Sequence, residues 1–499
     1  MLDIKSRREC FFDNYLIDEE KTTAQTRLHK PVRRGVVIEM DQPWEGYTHM
    51  HSMVWAQGLW RFYYIGKHNV RGKRCVAYME SKDGLHWTRP DLGIVAFDGS
   101  KHNNIILNNE MLDAFGFNGF DNFSVFYDES PACKPDEKYK MVGWWFGHAA
   151  LVCLKSADGI HFTKCDLITE KGEFDSQNRA FWSEAHGKYF CYFRGEHKPA
   201  EGTPNIDRSY TSKVARELYD SVKLAMREPG DGTESFMRDV RVICSEDFEK
   251  WSDPEPIVFN GRDFQLYNNC VLPYPRAPHQ LIAFPLRYSE RKAWTKNYDE
   301  LCGKEARLKR MEVMARYGLA ITDSLFMTSR DGYRFTKYDE AFLPPPPENP
   351  GAFVYGDGAA VPAVVEVPSE IPGAEPEYMI LVRENYRCVE GNNQMVKYTV
   401  RLDGFVSRYS GGEPVKLVTK EFIYDGKALF ANIETSARGG AYFTLKCGEE
   451  SCTSVEIFGN STHKRICFAQ ADAVARFAGK PVVLEVEMLD CDLYAIKFE

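Results

Sequence analysis

Ser81-Lys82-Asp83-Gly84-Leu85-His86-Trp87 decides the fold, because the pattern returns three times. The later copies are Ser156-Ala157-Asp158-Gly159-Ile160-His161-Phe162, Ser245-Glu246-Asp247-Phe248-Glu249-Lys250-Trp251 and Ser329-Arg330-Asp331-Gly332-Tyr333-Arg334-Phe335. The four aspartates are 75, 89 and 84 residues apart, and a worn fifth copy, Asp403-Gly404-Phe405, follows after another 72. Asp side chains in such a box bond turn amides, so the box predicts a structural turn that counts repeats and carries no chemistry.

Between the boxes the same order recurs, with aromatic strands expected at residues 59–64, 138–145, 188–194, 279–287 and 377–383. Five such strands imply five units. A four-stranded unit repeated around an axis is a propeller blade, and a spacing about twice the ~40 residues of a compact blade implies insertions. Two insertions carry helical periodicity, residues 209–227 in blade three and 291–317 in blade four, and would serve as a pocket wall or as a contact in a homo-oligomer. Residues 10–17 read as a lone strand able to close the last unit from the other end of the chain, which would remove an exposed edge. From about residue 413 the texture changes to short alternating strands separated by Gly, Asn and Asp turns, the pattern of a β-sandwich. The expected fold is all-β: a five-bladed β-propeller over 1–410, with helical insertions in blades 3 and 4, followed by a C-terminal β-sandwich over 411–499.

Composition narrows the class of function. The 499 residues carry a net charge of -9 without a basic block, which argues against a nucleic-acid partner. Neither a signal peptide nor a run of ~18 apolar residues is visible, so a soluble, cytoplasmic protein without membrane partners is expected. The 14 cysteines contain no Cys-x-x-Cys pair and read as reduced thiols, with no metal assigned. No Gly-rich phosphate loop follows a strand, so no cofactor is expected.

Several phrases carry a family resemblance: Pro43-Trp44-Glu45-Gly46, Phe174-Asp175-Ser176-Gln177-Asn178, Leu266-Tyr267-Asn268-Asn269, Ala277-Pro278 and Asp490-Cys491-Asp492-Leu493-Tyr494. With the propeller-plus-sandwich plan, the chain resembles the fructan-hydrolysing glycoside hydrolases of family 32 and, more loosely, family 43. The resemblance implies a funnel at one end of the axis, with carboxylates at the first strands of blades one, two and three. This chain departs from that pattern. His49 falls where the family-32 nucleophilic aspartate would lie, Asp121-Asn122-Phe123 replaces the Arg-Asp-Pro triplet, and the Glu-Cys pair falls near Ser176-Gln177. In sialidase-like propellers, similar Asp boxes lie on the blade periphery.

Glycoside cleavage requires two carboxyl groups, one protonated and one ionised. The first strands place Glu45, Asp121, Asp175 and Asp357 at comparable positions, with Asn268 and Asn269 in blade four. Asp121 and Asp175 are the preferred catalytic pair and Glu45 the third candidate. His49 and His51 share one side of their strand, either as a satisfied inner-strand pair or as ligands of sugar hydroxyls or of an ion, and Asn122, Asn178 and Asp357 are expected to bind substrate with them. Arg194, Arg287 and Arg383 end the aromatic strands of blades three to five, each followed closely by a glutamate such as Glu384. Antiparallel pairing returns them to the same rim, where their planar forks would suit an acidic sugar or pair with those glutamates. The expected partner is an oligosaccharide or glycoside. The rival readings are a non-catalytic carbohydrate-binding propeller, or a phosphorylase or lyase on the same fold.

Overall fold

The computed structural model of the chain describes residues 1–46, 48–67, 74–116, 119–198, 223–226, 236–291, 293–313, 316–386 and 393–499. Its sheets form a propeller-like arrangement. The first sheet runs His49–Ala56, Leu59–Lys67, Arg74–Ser81, Ile105–Asn108, and the second Phe120–Tyr127, Tyr139–Trp145, Ala150–Ser156, Lys164–Thr169. The third runs Arg179–Ser183, Lys188–His197, Met237–Ser245, Glu255–Pro256. These three follow the expected four-stranded plan. The next sheet has seven strands and the one after it five, so the expectation of five like units does not hold strand for strand. The inner and second strands of the seven-stranded sheet are each broken in two, on either side of left-handed Cys270 (φ 45°) and at Pro285, which has no N–H to give the ladder.

Apolar layers fill the gaps between successive sheets. Tyr63, Val125 and Met141 pack between the first and second, Val142, Tyr189 and Ile243 between the second and third, and Phe181, Val242 and Leu281 between the third and the seven-stranded sheet. Ile282, Phe326 and Ile380 join that sheet to the five-stranded one, and Ile38, Phe62 and Leu381 join the latter back to the first. Both faces of the sheets are thereby covered, which is why even a third strand, Ala150–Ser156, is buried along its whole length. Fully burying each such side chain contributes about 1.5–3 kcal/mol.

The strand that completes the five-stranded sheet is Val32–Glu39, antiparallel to Gln394–Arg401, with Ile38 opposite Met395. Residues 10–17 do not perform this closure, which corrects the sequence expectation. Only Cys10 ends a short strand, Arg8–Cys10, paired with the chain's last strand. Phe11, Phe12, Leu16 and Ile17 are apolar because they plug two cores: Phe12 enters the layer holding Tyr274, Phe326 and Phe405, and the other three enter the C-terminal core. That core belongs to an eight-stranded sheet built on the long strands Leu429–Cys447 and Val483–Phe498. Gln25–Leu28 pairs with Val406–Ser410, which in turn pairs with the last strand, so ladder bonds cross the position expected for the domain boundary.

The insertion at 291–317 opens with a strand, Ala293–Thr295, and is helical beyond it among the described residues, with helices Lys296–Glu300, Lys304–Val313 and Arg316–Leu319. Buried Arg307 ties it down by donating to the carbonyls of Ala352 (2.7 Å) and Phe353. Of the helix expected at 209–227, residues 209–222 and 227 lie outside the described residues. Lys223–Met226 is a strand paired with Ala293–Thr295, which corrects that part of the expectation.

The Ser-Asp boxes fold alike. In the first copy, Asp83 Oδ1 accepts from the amides of Leu85 and His86 at 2.8 Å each, and Ser81 Oγ accepts from Gly84 N at 2.9 Å. The third copy has the same three bonds at 2.8, 2.8 and 2.9 Å. The Gly position is left-handed in all four (φ 76°, 80°, 64° and 81°). Gly159 and Gly332 offer their carbonyls to Tyr63 and Tyr192 of neighbouring sheets, so the boxes lock the sheets together. The worn copy acts as a tie of another kind. Fully buried Asp403 binds Arg8 at 3.0 Å and Tyr274 Oη, joining the five-stranded sheet to the N-terminal strands.

Candidate active site

The inner strands begin alike. Met50, Asn122, Cys270 and Gly358 are left-handed (φ 51°, 53°, 45° and 77°), and each is preceded by a polar residue: His49, Asp121, Asn269 and Asp357. A left-handed residue shifts the register, as between His49 and Ser52, and re-aims the side chain beside it. Polar contacts then run from sheet to sheet around these starts. His49 Nε2 lies 3.0 Å from Asp121 Oδ1, Asn122 Nδ2 donates to Asp175 Oδ1 at 3.1 Å, and Asn269 Nδ2 donates to the Gln177 carbonyl at 2.8 Å. Thr322 Oγ1 donates to the Asp357 carbonyl at 2.7 Å, and Arg383 beside Asp357 is close enough to His51 to influence it electrostatically.

Asp121 is buried and well supplied with donors. Oδ1 faces His49 and accepts from Asn122 N at 2.8 Å, and Oδ2 is paired with Arg74, from the third strand of the first sheet. Burial pushes its pKa up, but the His49 imidazole and the Arg74 guanidinium outweigh burial and hold it below the usual carboxylate range. Asp175 differs. Its side chain is 61% exposed and receives Asn122 Nδ2 and the more distant Arg194 guanidinium (3.4 Å). Asn122 thus links two carboxylates of contrasting surroundings: its amide N–H serves Asp121 and its side chain serves Asp175.

Asp357 presents a third environment. It is 3% exposed, Oδ1 accepts from Tyr386 N at 3.2 Å, and Oδ2 meets no hydrogen-bond partner among the described residues. Burial raises its pKa to about 7, against the opposing Tyr386 amide and Arg383, while nearby Glu384 adds to the rise. Arg383 directs one nitrogen to the Gly356 carbonyl and lies over the Tyr386 ring at 3.4 Å. His51, buried by stacking on Phe62, is kept neutral: burial first, then Arg383 and His49, hold its pKa well below the ordinary imidazole value.

Other expected site residues have structural partners. Glu45 is 0% exposed, and its oxygens take Arg89 at 2.9 and 3.0 Å, Gln42 N at 3.1 Å and the Tyr64 hydroxyl, so it stands apart from the other carboxylates. Glu384 is clamped by Arg33 (2.9 Å) and Tyr398 (2.7 Å). Arg287 forms a two-pronged pair with Asp323 (2.8 and 2.6 Å) on the adjacent strand and donates to the Asp339 carbonyl. Arg194 pairs with Glu196 as well as Asp175. Asn178 braces the Asn122 turn by donating to the carbonyls of Asn122 (2.8 Å) and Phe174 (3.0 Å). Ser176 Oγ, Gln177 Oε1, Asn178 Oδ1, Asn268 Oδ1 and Arg383 Nε are buried without a partner among the described residues, a supply of unspent donors and acceptors near the strand starts. Arg74 was not foreseen; a lone arginine opening a third strand gives no signal of its target. Among the described residues, no three His, Cys, Asp or Glu side chains gather as a metal-binding group.

No protein-family model matches the chain, and no curated protein matches it either. Solved structures to which the chain is similar include glycoside hydrolases. A family 43 arabinoxylan arabinofuranohydrolase from Bacillus subtilis is 9% identical, with a TM-score of 0.35 over 91% of this chain and 96% of the other. A β-xylosidase is 11% identical, with a TM-score of 0.37 over 76% and 98%. An N-acetylgalactosamine deacetylase from F. plautii is 10% identical, with a TM-score of 0.36 over 79% and 94%. No helix among the described residues is long and apolar enough to cross a membrane.

Proposed function

We propose that the chain is a glycoside hydrolase that cleaves a glycosidic bond of an oligosaccharide at the ring of inner-strand starts, with Asp121 and Asp175 at its centre. The observation that carries this reading is the Asn122 link, with its amide 2.8 Å from Asp121 Oδ1 and its Nδ2 3.1 Å from Asp175 Oδ1. It sets an enclosed, ionised carboxylate beside a solvent-facing one, as a reaction needs that develops positive charge on a sugar and must activate water. Asp121 supplies fixed negative charge, Asp175 accepts the proton of the attacking water, and the partnerless polar atoms of Gln177, Asn178 and Asn268 hydrogen-bond sugar hydroxyls. Arg287 is withdrawn from substrate binding by Asp323, whereas the Nε atoms of Arg194 and Arg383 have no partner among the described residues, which supports including acidic sugars among candidate substrates. Glu45 takes no part in the chemistry.

In this reading the sheets form a propeller whose five-stranded sheet is closed by Val32–Glu39, and residues 411–499 form a C-terminal β-sandwich that the N-terminal strands Arg8–Cys10 and Gln25–Leu28 tie to it. The protein works without a cofactor in the cytoplasm.

The test is turnover on neutral and uronic aryl glycosides and on oligosaccharides, with isothermal titration of the same sugars. Release by wild type, lost in Asp121→Asn and Asp175→Asn, supports the reading. Sugar binding without release would instead mark a carbohydrate-binding protein.

A further inference from the structure

We propose that Asp357, rather than Glu45, is the proton donor of this site, delivering its proton to the leaving oxygen of a bound glycoside; the inference rests on the hydrolase reading above. The backbone holds the residue in place: its carbonyl takes the Thr322 hydroxyl at 2.7 Å, and left-handed Gly358 follows it, its N–H given to the Arg383 carbonyl at 3.0 Å. One carboxyl oxygen is served by the Tyr386 amide, and the other meets no donor among the described residues although the residue is only 3% exposed.

The charged neighbours do not neutralise it. Arg383 is the adjacent cation, but the hydrogen bond it makes goes to the Gly356 carbonyl. Glu384 is an adjacent carboxyl already bound by Arg33 and Tyr398, and Tyr398 is close enough to Asp357 to interact with it electrostatically. A carboxyl buried without a paired cation is more stable neutral than ionised. The placement of its pKa at about 7 agrees with that arrangement. In the neutral form one oxygen carries a hydrogen, and Oδ2, lacking a partner among the described residues, is the atom left to donate it. Asp121, with His49 and Arg74 on its two oxygens, is the opposite case.

In the step itself, the Asp357 proton passes to the glycosidic oxygen. The bond from that oxygen to the anomeric carbon breaks, its electron pair staying on the oxygen, which departs as an alcohol. A water oxygen bonds to the anomeric carbon as Asp175 takes one water proton. The balance is one bond cleaved, one water consumed, Asp357 left as carboxylate and Asp175 as acid, with solvent restoring both.

The test compares wild type, Asp357→Asn and Asp357→Glu on 2,4-dinitrophenyl glycosides, whose leaving group needs no proton, and on the matching alkyl glycoside or oligosaccharide. Asp357→Asn should lose about 10²- to 10⁴-fold in kcat/KM on the alkyl substrate and less than about tenfold on the dinitrophenyl one. The alkaline limb near pH 7 should vanish from its profile on the activated substrate, and Asp357→Glu should restore part of the alkyl activity. An equal loss on both substrates, or none on either, in protein with a wild-type melting profile overturns the proposal while leaving the hydrolase reading intact. Failure of wild type to cleave any glycoside overturns the hydrolase reading and this inference with it. Infrared difference titration of wild type against Asp357→Asn should also reveal one carboxyl titrating near 7, and its absence overturns the assignment.

Discussion

His49 Nε2 stands 3.0 Å from Asp121 Oδ1 across the seam between the first and second sheets. The contact makes the charge state of one sheet's inner strand depend on the strand beside it, and Arg74 reinforces it from the outer side of the carboxylate. Replacing Asp121 with Asn should therefore do two separable things: lower kcat by about 10²-fold or more, and destabilise the seam by about 1–3 kcal/mol. Steady-state kinetics and urea unfolding at neutral pH measure the two effects.

The same carboxylate gives a pH signature. Its folded pKa lies below the unfolded value of about 3.9. Its contribution to stability is therefore fully present above about pH 4 and is lost as pH falls through the lowered folded value. The advantage of wild type over Asp121→Asn in chemical unfolding should be flat from pH 5 upward and shrink in acid.

Asp357 should behave in the opposite sense. With a folded pKa of about 7, the native state holds a proton that the unfolded chain releases near pH 4. Wild type should lose stability as pH rises from about 4 to 7, by an amount on the order of 4 kcal/mol. Asp357→Asn should not show this slope. Denaturant midpoints across that range, with constant m-values, check it.

Glu45→Gln should damage the fold rather than the chemistry. It removes the buried carboxylate that holds Arg89 and leaves that arginine the exposed Asp41 and the Glu39 carbonyl, at a cost of about 1–3 kcal/mol. Activity per folded molecule should stay within about twofold of wild type, as measured by active-site titration alongside thermal melting.

Arg287→Met should likewise lower stability, because it strands Asp323 beside the Asp339 carbonyl. The KM for uronic and neutral substrates should change by the same small factor. A selective loss on the uronic substrate would show that Arg287 reaches the sugar.

Much of the fold is written in local rules. The Ser-Asp boxes could be counted because their bonds span only three residues and need no tertiary partner. The coincidence of carboxylates across the first strands pointed to Glu45, Asp121, Asp175 and Asp357, with Asn268 and Asn269 in blade four, whereas the left-handed residue that follows His49, Asp121, Asn269 and Asp357 alike has no signature in the pattern, since only Gly358 of the four is a glycine. Val32–Glu39 escaped notice because Arg33, Arg34 and Gly35 dilute its pattern; its outer face is exposed and only Ile38 is buried. Phe11 and Phe12 misled because two adjacent aromatics suit a strand as well as a plug between cores. The distinct states of Glu45 and Asp121 depend on Arg89 and Arg74, relations across 44 and 47 residues that composition does not encode, and that of Asp357 on an Oδ2 without a partner among the described residues.

The pairing of Val32–Glu39 with Gln394–Arg401 also sets a timetable. The first of these strands leaves the ribosome roughly 350 residues before its partner, a wait of tens of seconds at ~5–20 residues per second. Throughout that interval the growing ring presents two raw edges, each a template for mispairing with another nascent chain. Slow elongation or a truncated message would lengthen that exposure, and holdase chaperones acting on polysomes would shorten its consequences. Yield in the cell should accordingly track translation speed and chaperone supply more closely than the equilibrium stability of the finished ring.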